Sequence, residues 1–219
     1  MMKYKCLILD HDDTVVNSTA TIHYPSFIEY LKLRRPERVS EYTPESFILK
    51  NFSPGIVSLF ADELGLSEDE MREEQSFWEN YVRTRVPKSY SGMREILSEF
   101  SSRGGVIAVC SHSMKHYIER DYRENGLVPP DEIFGWDLPR ELCKPSPYTV
   151  ECLAEKYSLS RSEMLMVDDL KPGFDMACAA GIDFAAAGWG YDVPEIEDFM
   201  RAHSTYYLKT VDELRLLLF

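Results

Sequence analysis

Cys6-Leu7-Ile8-Leu9-Asp10-His11-Asp12-Asp13-Thr14 is the stretch that decides the fold of this chain. Its short apolar run, closed by polar residues, predicts a buried strand. If the extended backbone continues past that run, the carboxylates of Asp10 and Asp12 point to the same side. Two neighbouring anions repel each other, and a shared proton or a divalent cation relieves the repulsion. Acidic oxygens at a strand end suit Mg²⁺, so a magnesium site is predicted, with an acidic surface turn as the alternative.

Size and charge restrict the class of protein. The chain has 219 residues, of which 44% are hydrophobic, enough for one domain or for a domain with an insertion. A net charge of -13 disfavours nucleic acid and membrane surfaces as partners, yet it allows a small phosphorylated metabolite. The five cysteines form no C-x-x-C pair and predict reduced thiols in a cytoplasmic protein. We expect no signal peptide and no membrane span, and the sequence leaves monomer and homodimer open.

The first half of the chain is dominated by a helical segment, residues 19–87. Apolar residues recur there at helical spacing, without a convincing strand. Thr43 followed by Pro44 predicts one helix start, Ser53-Pro54 opens a further segment that Gly65 closes, and Ser67 predicts the start of a long helix. The block therefore predicts a separate α-helical cap domain.

Strands alternate with helices from about Tyr90 onward. Apolar runs at 105–110, 133–134, 164–167 and 182–187 predict strands, and 115–125, 145–157, 174–180 and 211–218 predict helices. Such alternation predicts an α/β fold, a Rossmann-like parallel sheet with helices on both faces. The first strand belongs to this sheet. The predicted domains are therefore a core of residues 1–18 and 88–219 and an inserted cap of residues 19–87.

Polar residues follow each main strand, where ligands of open parallel sheets bind. Beyond residue 110, the Ser111 hydroxyl and the following backbone N–H groups, including that of His112, form a candidate anion site. Beyond residue 167 the chain reads Asp168-Asp169, and Lys144 lies between the two strand ends in sequence. Taken singly, such residues are commonly caps, turns or surface charges. Their order and shared placement indicate one site.

These motifs resemble those of the haloacid dehalogenase superfamily, and the resemblance covers nearly the whole chain. The first signature, D-x-D-x-T, matches Asp10, Asp12 and Thr14. The resemblance makes Asp10 the nucleophile, Asp12 the general acid/base and Thr14 a residue of the substrate site. The second signature, a strand ending in serine or threonine, matches Ser111, which would hold a phosphoryl oxygen. The segment 188–191, Gly-Trp-Gly-Tyr, looks like the one that often follows the family's fifth strand.

The remaining signatures concern charge balance and metal. Lys144, in the K-P motif, would balance charge between nucleophile and phosphate. The acidic pair Asp168 and Asp169 would hold Mg²⁺ together with Asp10 and the backbone carbonyl of Asp12. The resemblance alone implies these assignments.

Two positions depart from the family pattern. The residue after the second acid is usually glycine, and here it is Asp13, which adds negative charge near the metal unless it turns away. The fourth signature often reads G-D with another acid about four residues later. Here Asp168 replaces that glycine and Gly173 stands at the later position, which leaves Asp175 as an alternative ligand.

Asp12 favours phosphate chemistry, because a phosphate ester needs its leaving oxygen protonated. Relatives that cleave carbon–halogen bonds lack this acid. The leading hypothesis is a Mg²⁺-dependent phosphatase that hydrolyses a small phosphomonoester through an aspartyl phosphate, in the manner of phosphoglycolate phosphatase. A sugar phosphomutase of the β-phosphoglucomutase type is one alternative. Enzymes of that type are marked by a cap histidine soon after the first motif, and His23 falls close to that place. A non-catalytic member that binds a ligand or partner is another. Candidate specificity residues in the cap are His23, Tyr24, Lys50, Asn51 and Phe52.

Overall fold

Strand β1 (Cys6–Leu9) lies inside a parallel sheet, between β4 (Val106–Cys110) and β6 (Met164–Asp168), in a computed structural model that describes residues 2–219. Its side chains alternate between the two faces: Leu7 and Leu9 enter one core, and Cys6 and Ile8 enter the other. All four are fully buried. An apolar strand without polar alternation is therefore accommodated because helices cover both faces.

Six strands form this sheet in the order β5-β4-β1-β6-β7-β8, with every neighbouring pair parallel. The outer strands are β5 (Glu132–Phe134), β7 (Asp183–Ala187) and β8 (Tyr206–Leu208). The predicted α/β architecture with a parallel sheet is confirmed. Edge strand β8 was not predicted from the sequence, because its three residues are too short to give a periodic signal.

Helices cover the sheet on both faces, as predicted. One face carries α5 (Met93–Ser102), α6 (Lys115–Glu124) and α10 (Val211–Leu218). The other carries α7 (Tyr148–Tyr157), α8 (Lys171–Ala180) and α9 (Pro194–His203). None of the helices in residues 2–219 combines the length and hydropathy that a membrane span requires.

A helical insertion, residues 19–83, separates β2 (Val16–Asn17) from β3 (Lys88–Ser89). Its α-helices are α1 (Tyr24–Arg34), α2 (Pro44–Phe52), α3 (Ile56–Ser58) and α4 (Glu68–Arg83). They enclose a core of their own around Phe27, Tyr30 and Leu59. The predicted caps at Thr43 and Ser67 are confirmed, each within a capping box.

Several predicted boundaries moved. The helix expected from residue 145 begins at Tyr148, and the one expected from residue 174 begins earlier, at Lys171. The segment expected after Ser53-Pro54 is only one turn of α-helix, continued by a wider π-helical turn, Leu59–Glu63. All five cysteines are unpaired.

Arg120 on α6 fixes the chain where it returns from the insertion. Its guanidinium donates to the backbone carbonyls of Val82 (2.9 Å), Arg83 (3.2 Å) and Arg85 (2.9 Å). Its Nε donates to Asp121, whose other oxygen contacts Nε2 of His11 at 3.1 Å. The planar fork of arginine suits this divergent set of acceptors. One side chain thus joins the returning linker to the loop after β1.

We expect Arg120→Met to lower the free energy of unfolding by about 1.5–3 kcal/mol, because it removes charged hydrogen bonds and leaves Asp121 with fewer partners. Arg123→Met is the matched control on the same helix. Arg123 is exposed and, within residues 2–219, its side chain pairs only with Glu124, so its loss is expected to cost less than about 0.5 kcal/mol. Urea unfolding checks both, and equal costs would contradict an anchoring role for Arg120.

Candidate active site

Three carboxylates meet at the carboxyl edge of the sheet. Asp10 directly follows β1, and Asp168 and Asp169 stand at the end of β6. One oxygen from each lies within 4.8 Å of the others, and all three residues are buried. Lys144 reaches into the group, with its Nζ 2.7 Å from Asp10 and 2.6 Å from Asp168. Adjacent parallel strands place these residues together because their carboxyl ends share one edge.

The electrostatics of this cluster are unbalanced, because one ammonium faces three carboxyl groups. Burial raises the pKa of Asp10 to about 7, although Lys144 opposes the shift. Burial and the neighbouring Asp168 hold the pKa of Asp169 well above its usual value. Burial alone would lower the pKa of Lys144, but Asp10 and Asp168 outweigh it and keep the pKa above its ordinary value. A buried group of oxygen donors with surplus negative charge fits a hard divalent cation such as Mg²⁺.

Asp12 lines the same cavity as Asp10, but its carboxylate lies outside the cluster. One oxygen is 3.0 Å from His23 Nε2, and the other accepts a hydrogen bond of 2.6 Å from the Ser113 hydroxyl. Burial would raise the pKa of Asp12, yet the contacts with His23 and Ser113 lower it below its usual range. The two acids of the first motif thus occupy different environments, which gives them different chemistry.

The orientation of His23 is set by Trp78. The indole Nε1–H, which can only donate, lies 3.0 Å from His23 Nδ1. Nδ1 is therefore an acceptor, and the ring hydrogen sits on Nε2, facing Asp12. A tryptophan of the insertion thus fixes the tautomer of the histidine that contacts the second acid.

Asp13 turns away from the carboxylate cluster. Its φ of 54° lies in the left-handed region, which explains why glycine suits this position, and aspartate is among the few other residues that tolerate it. Its Oδ1 accepts the backbone N–H groups of Ser18 (3.3 Å) and Thr19 (3.1 Å) at the entrance to the insertion. Burial nevertheless raises the pKa of Asp13 to about 6.

The structure distinguishes between Asp168 and Asp175. Asp168 is fully buried and accepts the Leu170 N–H in addition to its bond with Lys144. Asp175 is partly exposed and pairs with Lys171, outside the cluster. Gly173 explains the departure from the family pattern, because a Cβ there would lie 2.1 Å from the Asp168 carboxylate. The missing side chain at 173 makes room for the acid at 168.

Ser111 and His112 line the cavity beside Lys144. Nε2 of His112 donates to the Lys144 carbonyl at 3.3 Å, and its ring packs against Trp136 with centroids 4.6 Å apart. Burial and the charge of Lys144 lower the pKa of His112 to about 3, so its imidazole is neutral. The Ser111 oxygen accepts the N–H of Ser113 at 3.1 Å.

Thr14 does not lie in the cavity wall, contrary to its expected role at the substrate. It is fully buried, and its hydroxyl donates to Asp169 at 3.1 Å. Trp189 donates to the Thr14 carbonyl at 3.0 Å, and the Tyr191 hydroxyl donates to the Asp169 carbonyl at 2.9 Å. Thr14 therefore orients an acid of the cluster, and segment 188–191 supports both.

A cavity of about 250 Å³ lies between this edge and the insertion. Of the candidate specificity residues, His23 and Asn51 line it. The Tyr24 hydroxyl instead donates to the Tyr42 carbonyl, and Lys50 pairs with Glu63. Phe52 packs on Phe199 of α9, with ring centroids 5.3 Å apart, and so fastens the insertion to the core.

Comparison with known proteins gives the family. A family model described as haloacid dehalogenase-like hydrolase matches residues 7–187, most of the chain. The chain belongs to this family. The match begins in β1 and ends with β7, so it includes every strand that contributes to the carboxylate cluster.

The individual proteins that resemble the chain have low sequence identity to it. A phosphoglycolate phosphatase from Aliivibrio fischeri is 27% identical over 104 residues, which is 47% of this chain and 45% of that relative. The chain therefore matches less than half of the relative's length. A haloacid dehalogenase-like hydrolase from Bacteroides fragilis has a TM-score of 0.78 at 18% identity and covers 97% of this chain and 100% of its own. A predicted phosphoglycolate phosphatase from Haemophilus somnus has a TM-score of 0.74 at 20% identity, with 99% of both chains covered. The two structures share the fold.

Sequence reasoning missed several residues of the site. Ser113, Trp78 and Gly173 had no assigned role, and Glu74 of the cavity wall was not singled out. Ser113 follows Ser111 at the same strand end, so the alternation of an extended chain was an available signal. Trp78 and Glu74 act across the boundary between insertion and core, which no local pattern reveals.

We expect Gly173→Ala to destabilise the protein by about 1–3 kcal/mol, because the new methyl group overpacks against Asp168. Helix propensity alone predicts the opposite sign, a gain of about 1 kcal/mol. Urea unfolding measures the change, with Cys178→Ala at an exposed position of the same helix as control. A stabilised Gly173→Ala variant would show that Asp168 is not confined.

Proposed function

We propose that the protein is a Mg²⁺-dependent phosphatase that hydrolyses a small phosphomonoester through an aspartyl phosphate. One observation carries this proposal: Asp10 and Asp12 line the same cavity but lie in different environments. Asp10 lies against Lys144, and Asp12 lies against His23 and Ser113. A nucleophile and a separate proton carrier are what a phosphate ester requires.

In the first step, a carboxylate oxygen of Asp10 attacks phosphorus and the bond from phosphorus to the ester oxygen breaks. Asp12 transfers a proton to the departing alcohol, and it regains a proton from water in the second step. Lys144 stabilises negative charge shared between Asp10 and the phosphoryl group, and Ser111 donates its hydroxyl to a phosphoryl oxygen. Charge already fixed in a buried site contributes most to such a reaction.

In the second step, water attacks the phosphorus of the aspartyl phosphate and Asp12 accepts the proton of that water. The bond between phosphorus and the Asp10 oxygen breaks, which regenerates the carboxylate. Asp10, Asp168 and Asp169, with the Asp12 carbonyl, would hold Mg²⁺. Bound Mg²⁺ supplies positive charge that neutralises phosphoryl oxygens. The family of the chain and the acidic cluster support this choice of cofactor.

Phosphoglycolate phosphatase activity in a relative supports phosphomonoesters as the substrate class. We further propose that residues 19–87 act as a cap domain over the core, that the protein is cytoplasmic, and that a small phosphorylated metabolite is its partner. The overall negative charge supports a partner other than nucleic acid or membrane lipid.

We expect Asp10→Asn to lower hydrolysis of p-nitrophenyl phosphate at least about a thousandfold, because a carboxamide cannot form the acyl phosphate. Phosphate release is the measurement. Asp175→Asn is the matched control, since it makes the same chemical change at an acid outside the cluster. It should keep wild-type activity.

A chelator should also abolish the wild-type activity, and added Mg²⁺ should restore it. Wild-type protein that releases no phosphate from a broad panel of phosphate esters with Mg²⁺ present would refute the phosphatase assignment and favour a non-catalytic, ligand-binding role.

The contact between His23 and Asp12 favours one further candidate, a sugar phosphomutase of the β-phosphoglucomutase type. Phosphorus NMR of the protein incubated with β-glucose 1-phosphate separates the two activities. A phosphatase accumulates inorganic phosphate, which is our expected outcome. Conversion to another sugar phosphate without inorganic phosphate would replace the phosphatase by the mutase. His23→Asn should slow either reaction, since it removes the imidazole that lies against the acid.

A further inference from the structure

The insertion contributes a mostly apolar wall to the cavity, opposite the carboxylate cluster. Its aromatic and aliphatic side chains come from α1, α2, α3, the turn after α3, and α4: Phe27, Phe47, Ile56, Phe60, Met71 and Trp78. Substrate pockets usually combine such a wall with a few polar groups that orient the ligand. If the core binds the phosphoryl group, as proposed above, this wall faces the organic part of the substrate.

Glu74 is the acidic side chain within that wall. It lies on α4 three residues after Met71 and four before Trp78, so the three share one face of the helix. Glu74 is 9% exposed, and its carboxyl group has no hydrogen bond or ion pair within residues 2–219. Burial raises its pKa to about 7. The Glu74 carboxylate oxygens are open to the cavity rather than sealed inside the protein, so a ligand group in the cavity can reach them and supply the missing partner.

We propose that Glu74 binds an ammonium group in the organic part of the substrate, which makes the substrate class an aminated phosphomonoester with an apolar or aromatic body. This inference rests on the proposed phosphatase function. The ammonium would donate to the Glu74 carboxylate, and the aromatic faces of Trp78 and its neighbours would surround the rest of the cation.

A substrate carboxylate beside Glu74 would be repelled by the Glu74 carboxylate. The polar neighbours of Glu74 compensate it only in part. His23 lowers the pKa of Glu74 without outweighing the effect of burial, the amide nitrogen of Asn51 already donates to the Phe47 carbonyl, and that of Gln75 donates to Glu79. Arg140 also lines the cavity, but it stacks on Trp136 at the core side, near the phosphate end. Substrates resembling glycolate phosphate, with a carboxylate on a short chain, therefore fit this wall poorly.

Three aryl phosphates with similar leaving groups test the proposal. Tyramine O-phosphate carries an ammonium, 4-ethylphenyl phosphate carries neither charge nor donor, and the phosphate of 3-(4-hydroxyphenyl)propanoate carries a carboxylate. We expect the wild-type kcat/KM to be highest for the ammonium ester and lowest for the carboxylate ester. Glu74→Gln should reduce the preference for the ammonium ester over 4-ethylphenyl phosphate at least about tenfold, the usual range for a charged hydrogen bond.

Glu73→Gln is the matched control, because it removes one exposed negative charge from the adjacent position of α4. It should leave the preference unchanged. An equal preference in wild type and Glu74→Gln, or a wild-type preference for the carboxylate ester, would overturn the proposal. Retained hydrolysis of 4-ethylphenyl phosphate by Glu74→Gln shows that this variant is folded.

A binding measurement separates the ammonium site from the phosphatase function. Calorimetric titration with tyramine, which has no phosphate, should show binding to wild type and at least about tenfold weaker binding to Glu74→Gln. If wild type hydrolyses neither these three esters nor any of the broad panel above, the phosphatase function fails, yet this titration still decides the ammonium site. Equal affinity of tyramine for both proteins would refute the site even where hydrolysis occurs.

Discussion

Repulsion among buried carboxylates is the constraint on which the rest of the site depends. Asp10, Asp168 and Asp169 are brought together by the parallel sheet, and Lys144 offsets only part of their charge. In a buried, weakly polarisable environment an uncompensated anion costs several kcal/mol. The surrounding residues either balance this charge or hold the acids in place, and a divalent cation would complete the balance.

The sequence predicted the parts of the molecule that depend on local pattern. Apolar runs located the central strands, and residue order along the chain located the acids and Ser111 at their ends and Lys144 between them. One helix start was placed too late although a proline marks it: α8 begins at Lys171, with Pro172 in its first turn, three residues before the start that the apolar pattern predicted. The roles of Thr14 and Gly173 depend on what packs against them, which a single sequence does not contain.

Asp12, the second acid of the first motif, has contacts from both the insertion and the core. His23 and Trp78 belong to the insertion, whereas Asp12 and Ser113 belong to the core. While Trp78 donates to Nδ1, the imidazole has no second N–H and cannot relay a proton from Asp12 into the insertion. In the proposed mechanism, Asp12 therefore exchanges protons on its cavity side, where the Ser113 hydroxyl, the substrate and water can reach it.

The short ribbon of β2 and β3 fixes where the insertion leaves and re-enters the core. Val16 pairs with Ser89 and Asn17 with Lys88, so the insertion leaves and re-enters the core one strand spacing apart. Closing a loop between neighbouring points costs only about 0.6 kcal/mol more for each doubling of its length. Because the paired strands keep the two ends of the insertion adjacent, helical insertions of very different length can be exchanged at this point. Such a replacement leaves the carboxylate cluster unchanged, because its three acids lie at the ends of β1 and β6 in the core.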